Sequence, residues 1–421
     1  MNIRKRAGGV VGIVAMASIV ALAVSGCSTR GGGGGEDGEG AAASPGITDD
    51  SITLGVSTPL SGPTAGPGTC TVAGLEAYMG SVNAEGGIEF GDGKTREVEI
   101  KTYDDTYDPQ KALANFQQMV SDEVFAATSG LGTPTNRAWR EAAIDEEFPQ
   151  VLIMTGDPLF SNQEESPWQL GFVPIYQNEG AAFGELLAAS GADHKVAILS
   201  QNDDYGAGYV EGFKEAIEGA DNIEVVGELT YEATDTSVDA QLTELAASGA
   251  DVFFNAMSIT PLVISSLQKA QQIGWLPSWF LPSNTSSPTA ILEPGGGAAF
   301  PGIYSVSFSK APQSPAFAED EDVVKFLSDL KEYGNYPDMP AFPHCMWSYM
   351  IGATLQEVFE NMEEPTRESF MESLRNVSDL QAPLMLEGTA VNTTEDGQPA
   401  VSTVIVQKYN GKGYETAENF G

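Results

Sequence analysis

Apolar positions along the chain change period repeatedly, and each change marks an element. Ile52, Leu54 and Val56 alternate with polar neighbours, as a short buried strand does. The loop after it holds Pro59, Gly62, Pro63, Gly66, Pro67 and Gly68 and is too broken for regular structure. Val72, Leu75, Met79 and Val82 then fall at helical spacing, the stripe of a helix lying on a sheet and running to Asn83. Strand, stiff loop and helix form the first unit of an α/β layer, and ligands of open parallel sheets sit beyond such carboxyl ends.

The rhythm repeats. Val98–Tyr103 reads as a strand, and Pro109 opens a helix carrying Ala112, Leu113, Phe116, Met119 and Val120. Val124–Thr128 is the next strand. One helix is predicted after it, with Thr133 as N-cap, Pro134 as first residue, and Ala138, Trp139, Ala142 and Ala143 on one side. Gln150–Thr155 reads as a strand ending in Gly156-Asp157-Pro158, and Trp168–Pro174 as an extended run. A second series has strands at Val196–Ser200, Ile223–Leu229, Asp251–Ala256 and Trp279–Leu281, with helices near 178–190, 206–219, 237–248 and 261–273. Two series of similar length predict two α/β layers, not one sheet of ten strands. Then come a strand at Gly302–Val306, helices near 316–333 and 346–360, and a short helix marked by Phe370 and Leu374. Thr389–Val391 and Val401–Val406 read as antiparallel strands around an Asp396-Gly397 turn.

With 421 residues and 42% hydrophobic content, the chain can bury two cores. Its formal net charge of −39 repels phosphate backbones and anionic lipid heads, so no nucleic-acid partner is expected. The acidity is read as solubilising, in the manner of a protein in a salty medium. Arg4, Lys5 and Arg6 precede an apolar or small run from Val10 to Val24, and Val24-Ser25-Gly26-Cys27 closes it. This run is short for a retained membrane span. It resembles the lipobox of bacterial lipoproteins, which implies removal of residues 1–26 and diacylation of Cys27. Residues 27–50 are glycine-rich and read as a flexible linker. A folded body tethered outside the cytoplasmic membrane is thus expected, touching the membrane by its anchor alone. Cys70 and Cys345 remain, either bonded or as two buried thiols. No C-x-x-C motif is present, which argues against thiol exchange and structural zinc.

Four segments carry a family resemblance: Ile52-Thr-Leu-Gly-Val-Ser-Thr-Pro-Leu-Ser-Gly-Pro63, Ser81-Val-Asn-Ala-Glu-Gly-Gly-Ile88, Tyr103-Asp-Asp-Thr-Tyr-Asp-Pro-Gln-Lys-Ala112 and Asn202-Asp-Asp-Tyr-Gly-Ala-Gly208. Their order and spacing resemble the substrate-binding lipoproteins of branched-chain amino-acid-type ABC importers, the type I periplasmic binding fold. The resemblance covers about residues 51–410. It implies two Rossmann-like lobes with parallel-rich sheets joined by three crossovers near 174–176, 303–306 and 382–386. The first lobe would comprise 51–174 and 304–383, the second 175–303 and 384–421. That topology returns Cys345 to Cys70, which supports a disulfide. It also implies a small-molecule ligand clamped by hinge closure, delivery to an ABC permease, and a monomeric protein with no cofactor.

Site residues follow from the same resemblance. Thr133 and Thr135 match positions that surround a ligand carboxylate, and a helix start favours an anion on physical grounds as well. Asp157 either pairs with a ligand cation or fixes its own turn, with Leu159 beside it and Pro67 in the first loop. Tyr205 matches an aromatic residue that covers the ligand from the second lobe. Two positions depart from the family: Ser283, with Asn284 beside it, stands where amino-acid binders carry an acid for the ammonium, and Met257 replaces an aromatic residue. A buried ammonium needs a carboxylate, so either Asp157 or Glu179 substitutes or the ligand is an amide, a small carboxylate or an aromatic compound. An enzyme reading lacks residues: there are two histidines, and no G-x-S-x-G, Walker or H-E-x-x-H motif. The alternative to an importer component is a sensory lipoprotein docking on a membrane receptor.

Overall fold

A computed structural model describes residues 42–336 and 338–421; the expected signal segment, Cys27 and the linker as far as residue 41 lie outside the described residues. From β1 (Ser51–Thr58) the chain enters α1 (Ala65–Ala84), then β2 (Ile88–Glu89), β3 (Thr95–Asp104), α2 (Pro109–Ser121), β4 (Ala126–Thr128), α3 (Thr133–Arg137), α4 (Arg140–Asp145), β5 (Gln150–Ile153) and β6 (Gln169–Gly171). These strands form one sheet in the order β2-β3-β1-β4-β5-β6, parallel except for β2. The second layer runs α5 (Tyr176–Ala189), β7 (His194–Gln201), α6 (Asp204–Ala216), β8 (Ile223–Tyr231), α7 (Asp239–Ala247), β9 (Val252–Ala256), α8 (Thr260–Gln272), β10 (Ser278–Phe280), a single turn α9 (Glu293–Gly295) and β11 (Ile303–Ser307). The chain returns through α10 (Glu321–Glu332), α11 (His344–Glu360) and α12 (Arg367–Leu374), then ends with β12 (Ile405–Tyr409) and β13 (Tyr414–Thr416). The second sheet is ordered β13-β12-β11-β10-β9-β7-β8, with β12 and β13 antiparallel. The expected α/β fold of two sheet-containing lobes is the fold observed.

Each sheet is covered on both faces. In the first lobe, α1 and the returning α10 and α11 bury one face, while Phe116, Trp139 and Phe148 pack on the other. Cys70 in α1 and Cys345 in α11 are bonded, with Cα atoms 4.5 Å apart, inside the larger core. In the second lobe, Leu242, Val263 and Trp279 mark one face, and Phe183, Phe213 and Phe254 the other.

Four expectations need correction. The linker does not stay loose as far as residue 50: Ile47 is buried in the first core, and the Ser44 N–H donates to the Pro365 carbonyl. The one helix expected from Thr133 is two, α3 and α4, and the N-cap position belongs to Gly132 (φ +102°). Its break at Trp139 lets the indole stack on Phe116 at 5.1 Å, so aromatic packing overrides the local period. The third crossing lies later than 382–386, because Val391, Ala400 and Val401 still belong to the first core, and Val401 N–H donates to Phe172. Asp396-Gly397 is a turn, but the observed hairpin is β12–β13, closed by Asn410–Gly413.

Candidate functional site

Most strands pointing toward the space between the lobes end in a loop that contributes a wall. The sheet orders reverse beside β1 and β7, which opens a crevice at the carboxyl ends of both sheets, the place where such folds bind ligands. From the first lobe come Pro67 after β1, Tyr107 after β3, Leu131 and Gly132 after β4, and Met154 after β5. The second lobe supplies Tyr176 and Glu179 from α5, Tyr205 and Tyr209 from α6, and Ser258, Ser283 and Asn284 after β9 and β10. His344 and Trp347, at the start of α11, close the side. The space between these walls is about 40 Å³ and is partly open to solvent.

Local sequence explains how these groups are held. Thr106 and Tyr107 both have positive φ, +51° and +62°. That strained pair turns the chain out of β3, and such strain persists only where the surroundings fix it. Here the Asp105 carboxylate accepts from Tyr107 N–H at 2.9 Å and from the Ser57 hydroxyl at 3.0 Å. The Tyr107 ring thereby reaches across and packs on the second-lobe core. Gly132 makes room for it, since a Cβ there would lie 2.5 Å from the ring. In the second lobe, Asp203 caps α6 by accepting from Tyr205 N–H and Gly206 N–H. Tyr205 and Tyr209, one helical turn apart, share the face toward the cavity.

Glu179 is the one carboxylate in the lining, and no lysine or arginine joins it there. It is 1% exposed and accepts from Ser283 N–H (3.0 Å), the Ser283 hydroxyl (2.8 Å) and the Tyr209 hydroxyl (2.9 Å). Burial pushes its carboxyl up to about 7 against the opposing pull of those donors. Burial alone pushes His344 down to about 3, so its imidazole is neutral at physiological pH. His344 Nδ1 and Trp347 Nε1 are buried without a protein partner. Native structures seldom leave such atoms unpaired, which marks this wall as a place for a ligand or water.

Of the residues expected from sequence, Pro67, Tyr205, Ser283 and Asn284 line the cavity. The others stand one layer behind. The Thr133 hydroxyl meets those of Thr155 (2.8 Å) and Tyr176 (3.0 Å), and the Thr135 hydroxyl donates to the Leu131 and Gly132 carbonyls. Asp157 fixes its turn by accepting from Leu159 N–H, and its charge is taken by Arg137 at 2.5 Å. Leu159 is half-buried outside the lining, and the Met257 carbonyl accepts from Tyr205 at 3.4 Å. Sequence reasoning missed Tyr107, Tyr176, Tyr209, His344 and Trp347 as lining residues. Tyr209 had a signal, its i+4 spacing from Tyr205; Trp347 had one in its i+3 spacing from His344. Among the described residues, no group of three or more His, Cys, Asp or Glu side chains is placed to hold a metal ion.

Comparison with known proteins agrees with this architecture. The chain is 28% identical over 210 residues to the Leu/Ile/Val-binding protein homolog 3 of Brucella melitensis, a stretch covering 48% of this chain and 53% of that protein. It therefore spans about half the length of that curated relative. A substrate-binding periplasmic protein from Ralstonia solanacearum superposes with a TM-score of 0.75 at 19% identity, covering 86% of this chain and 100% of that one. A fatty acid ABC transporter substrate-binding protein from Thermomonospora curvata gives 0.75 at 22% identity, covering 90% and 95%. A family model described as periplasmic binding protein matches residues 51–413. With that match over most of its length and a crevice at the carboxyl ends of both sheets, the chain belongs to the periplasmic binding protein family.

Proposed function

We propose that this protein captures a small solute outside the cytoplasmic membrane, between two lobes that close on it, and hands it to an ABC importer. The observation that carries this is the cavity lined from both lobes. A solute touching both walls binds the closed state better than the open one and so shifts the hinge equilibrium. Residues 1–26 would be removed and Cys27 lipidated, which keeps the body near its permease. A lining of neutral hydroxyls and rings around one carboxylate suits holding a solute.

The test is a thermal-shift screen over amino acids, amides, ureas, polyamines and aromatic acids, followed by small-angle scattering. A true ligand at about a hundred times its Kd stabilises the native state by about 2.7 kcal/mol and compacts the particle. A full screen with neither shift nor compaction would overturn the reading.

A further inference from the structure

The walls of the cavity carry information about the charge of the solute, an inference that rests on the cleft reading above. Glu179 contacts only neutral partners: the Ser283 backbone and hydroxyl and the Tyr209 hydroxyl. Two other buried carboxylates are ion-paired, Asp157 with Arg137 and Asp329 with Lys325, whereas the buried Asp105, like Glu179, meets only neutral donors. A buried carboxylate is ordinarily paired or neutralised, and no side chain of the lining supplies a cation for Glu179.

Aromatic placement agrees. Tyr176, Tyr205 and Tyr209 form a cluster with ring centroids 4.7 to 5.1 Å apart, all three lining the cavity beside Glu179. Ring faces attract ammonium groups and repel anions. The two hydroxyls that the resemblance sets around a ligand carboxylate are spent, Thr133 on Thr155 and Tyr176, and Thr135 on two carbonyls. What is left unpaired in the lining is Nε1 of Trp347, Nδ1 of His344 and the Thr64 hydroxyl, all on neutral groups. An indole N–H only donates, and with no basic side chain in the lining the acceptor that fits here is an uncharged oxygen such as that of an amide or hydroxyl.

We propose that the solute is a small organic cation whose ammonium faces Glu179 among the tyrosines and whose far end carries an uncharged oxygen for Trp347. A simple carboxylate would instead meet a like charge with no basic side chain to offset it. The pH dependence follows. Tyr176, Tyr205 and Tyr209 face Glu179 and stay neutral, because burial raises their hydroxyls further. Only Glu179 itself then changes charge near neutrality, and a cation must displace its proton. Affinity for the cation falls about tenfold per pH unit below 7.

The experiment is calorimetric titration of the full chain at pH 7.5 with charge-matched probes. These are 3-methylbutylamine, leucinamide and choline, against 4-methylpentanoate and 3,3-dimethylbutan-1-ol. The expected result is binding by cations, none by the carboxylate, and a loss of about thirtyfold or more in Glu179→Gln. Trp347→Phe should weaken leucinamide more than it weakens 3-methylbutylamine. The wild-type comparison stands even if a variant fails to fold. Binding of 4-methylpentanoate or the neutral alcohol without the cations overturns the charge assignment and leaves the cleft reading intact. If nothing in this panel or in the wider screen binds or compacts the protein, both fail together.

Discussion

Burial holds the Glu179 carboxyl near 7 from an ordinary 4.5, so folding takes up a proton across that interval. The native state binds more protons than the unfolded chain there, and stability must fall as pH rises from about 4.5 to 7. The group's contribution is complete below the unfolded value and is lost through the folded one, roughly 3 kcal/mol for such a shift. His344 runs the other way: its depressed value means stability is lost as pH falls from about 6.5 toward 3. The two slopes overlap and partly cancel, so the wild-type curve alone is uninformative. We predict that the stability difference between Glu179→Gln and wild type grows in favour of the variant from pH 4.5 to 7 and then levels. Urea unfolding at half-unit pH steps measures it, and a flat difference would show that Glu179 is not desolvated. Sequence alone offered Glu179 only as a substitute for an absent acid. Its three donors come from Ser283 and Tyr209, 104 and 30 residues away, and no local pattern carries a contact of that span.

Two glycine-rich helices place that carboxylate. On α5, a Cβ at Gly180 would lie 2.2 Å from the Tyr209 carbonyl; on α6, one at Gly212 would lie 2.0 Å from the Gln177 carbonyl. Only hydrogen side chains allow this approach, which brings Glu179 within bonding distance of Tyr209. Gly212→Ala should cost about 1–3 kcal/mol through overpacking and weaken binding of the screened ligand, read by urea denaturation and titration. In the first lobe the corresponding tie is covalent. The Cys70–Cys345 bond closes a loop of 275 residues, and Cys70→Ser with Cys345→Ser should lose about 2–5 kcal/mol. Elements such as β7, α6 and α8 were legible because their apolar stripes have a clean period and firm ends, Asp203 being one cap. The tail was not. Thr389–Val391 and Val401 read as parts of strands, yet Val391 makes only a single bridge to Leu380, and Ala400 and Val401 N–H groups donate to Gly171 and Phe172 of the first lobe.

At the scale of the whole molecule, closure works against charge. The chain has 59 acidic and 20 basic residues, so two acidic lobes approach each other when they shut. Arg137 opposes that repulsion. Its guanidinium is held by Asp157 in its own lobe and reaches Asp204 of the second lobe at 2.8 Å. The Asp204 side chain is 54% exposed, so the bridge is worth at most about 1 kcal/mol and is screened by salt. A contact made only in the closed state slows opening more than it speeds encounter. Asp204→Asn should therefore raise Kd by up to about fivefold, chiefly through a faster off-rate. The same pair predicts a salt signature. Added salt weakens the wild-type bridge but relieves the general repulsion between lobes, whereas the variant has only the repulsion left to screen. Its affinity should rise with salt and converge on that of wild type near 1 M, where the Debye length is about 3 Å. Stopped-flow tryptophan fluorescence at several salt concentrations, with the tightest ligand of the screen, measures both rates. Equal off-rates at low salt would show that Arg137 serves Asp157 alone and that the lobes are latched elsewhere.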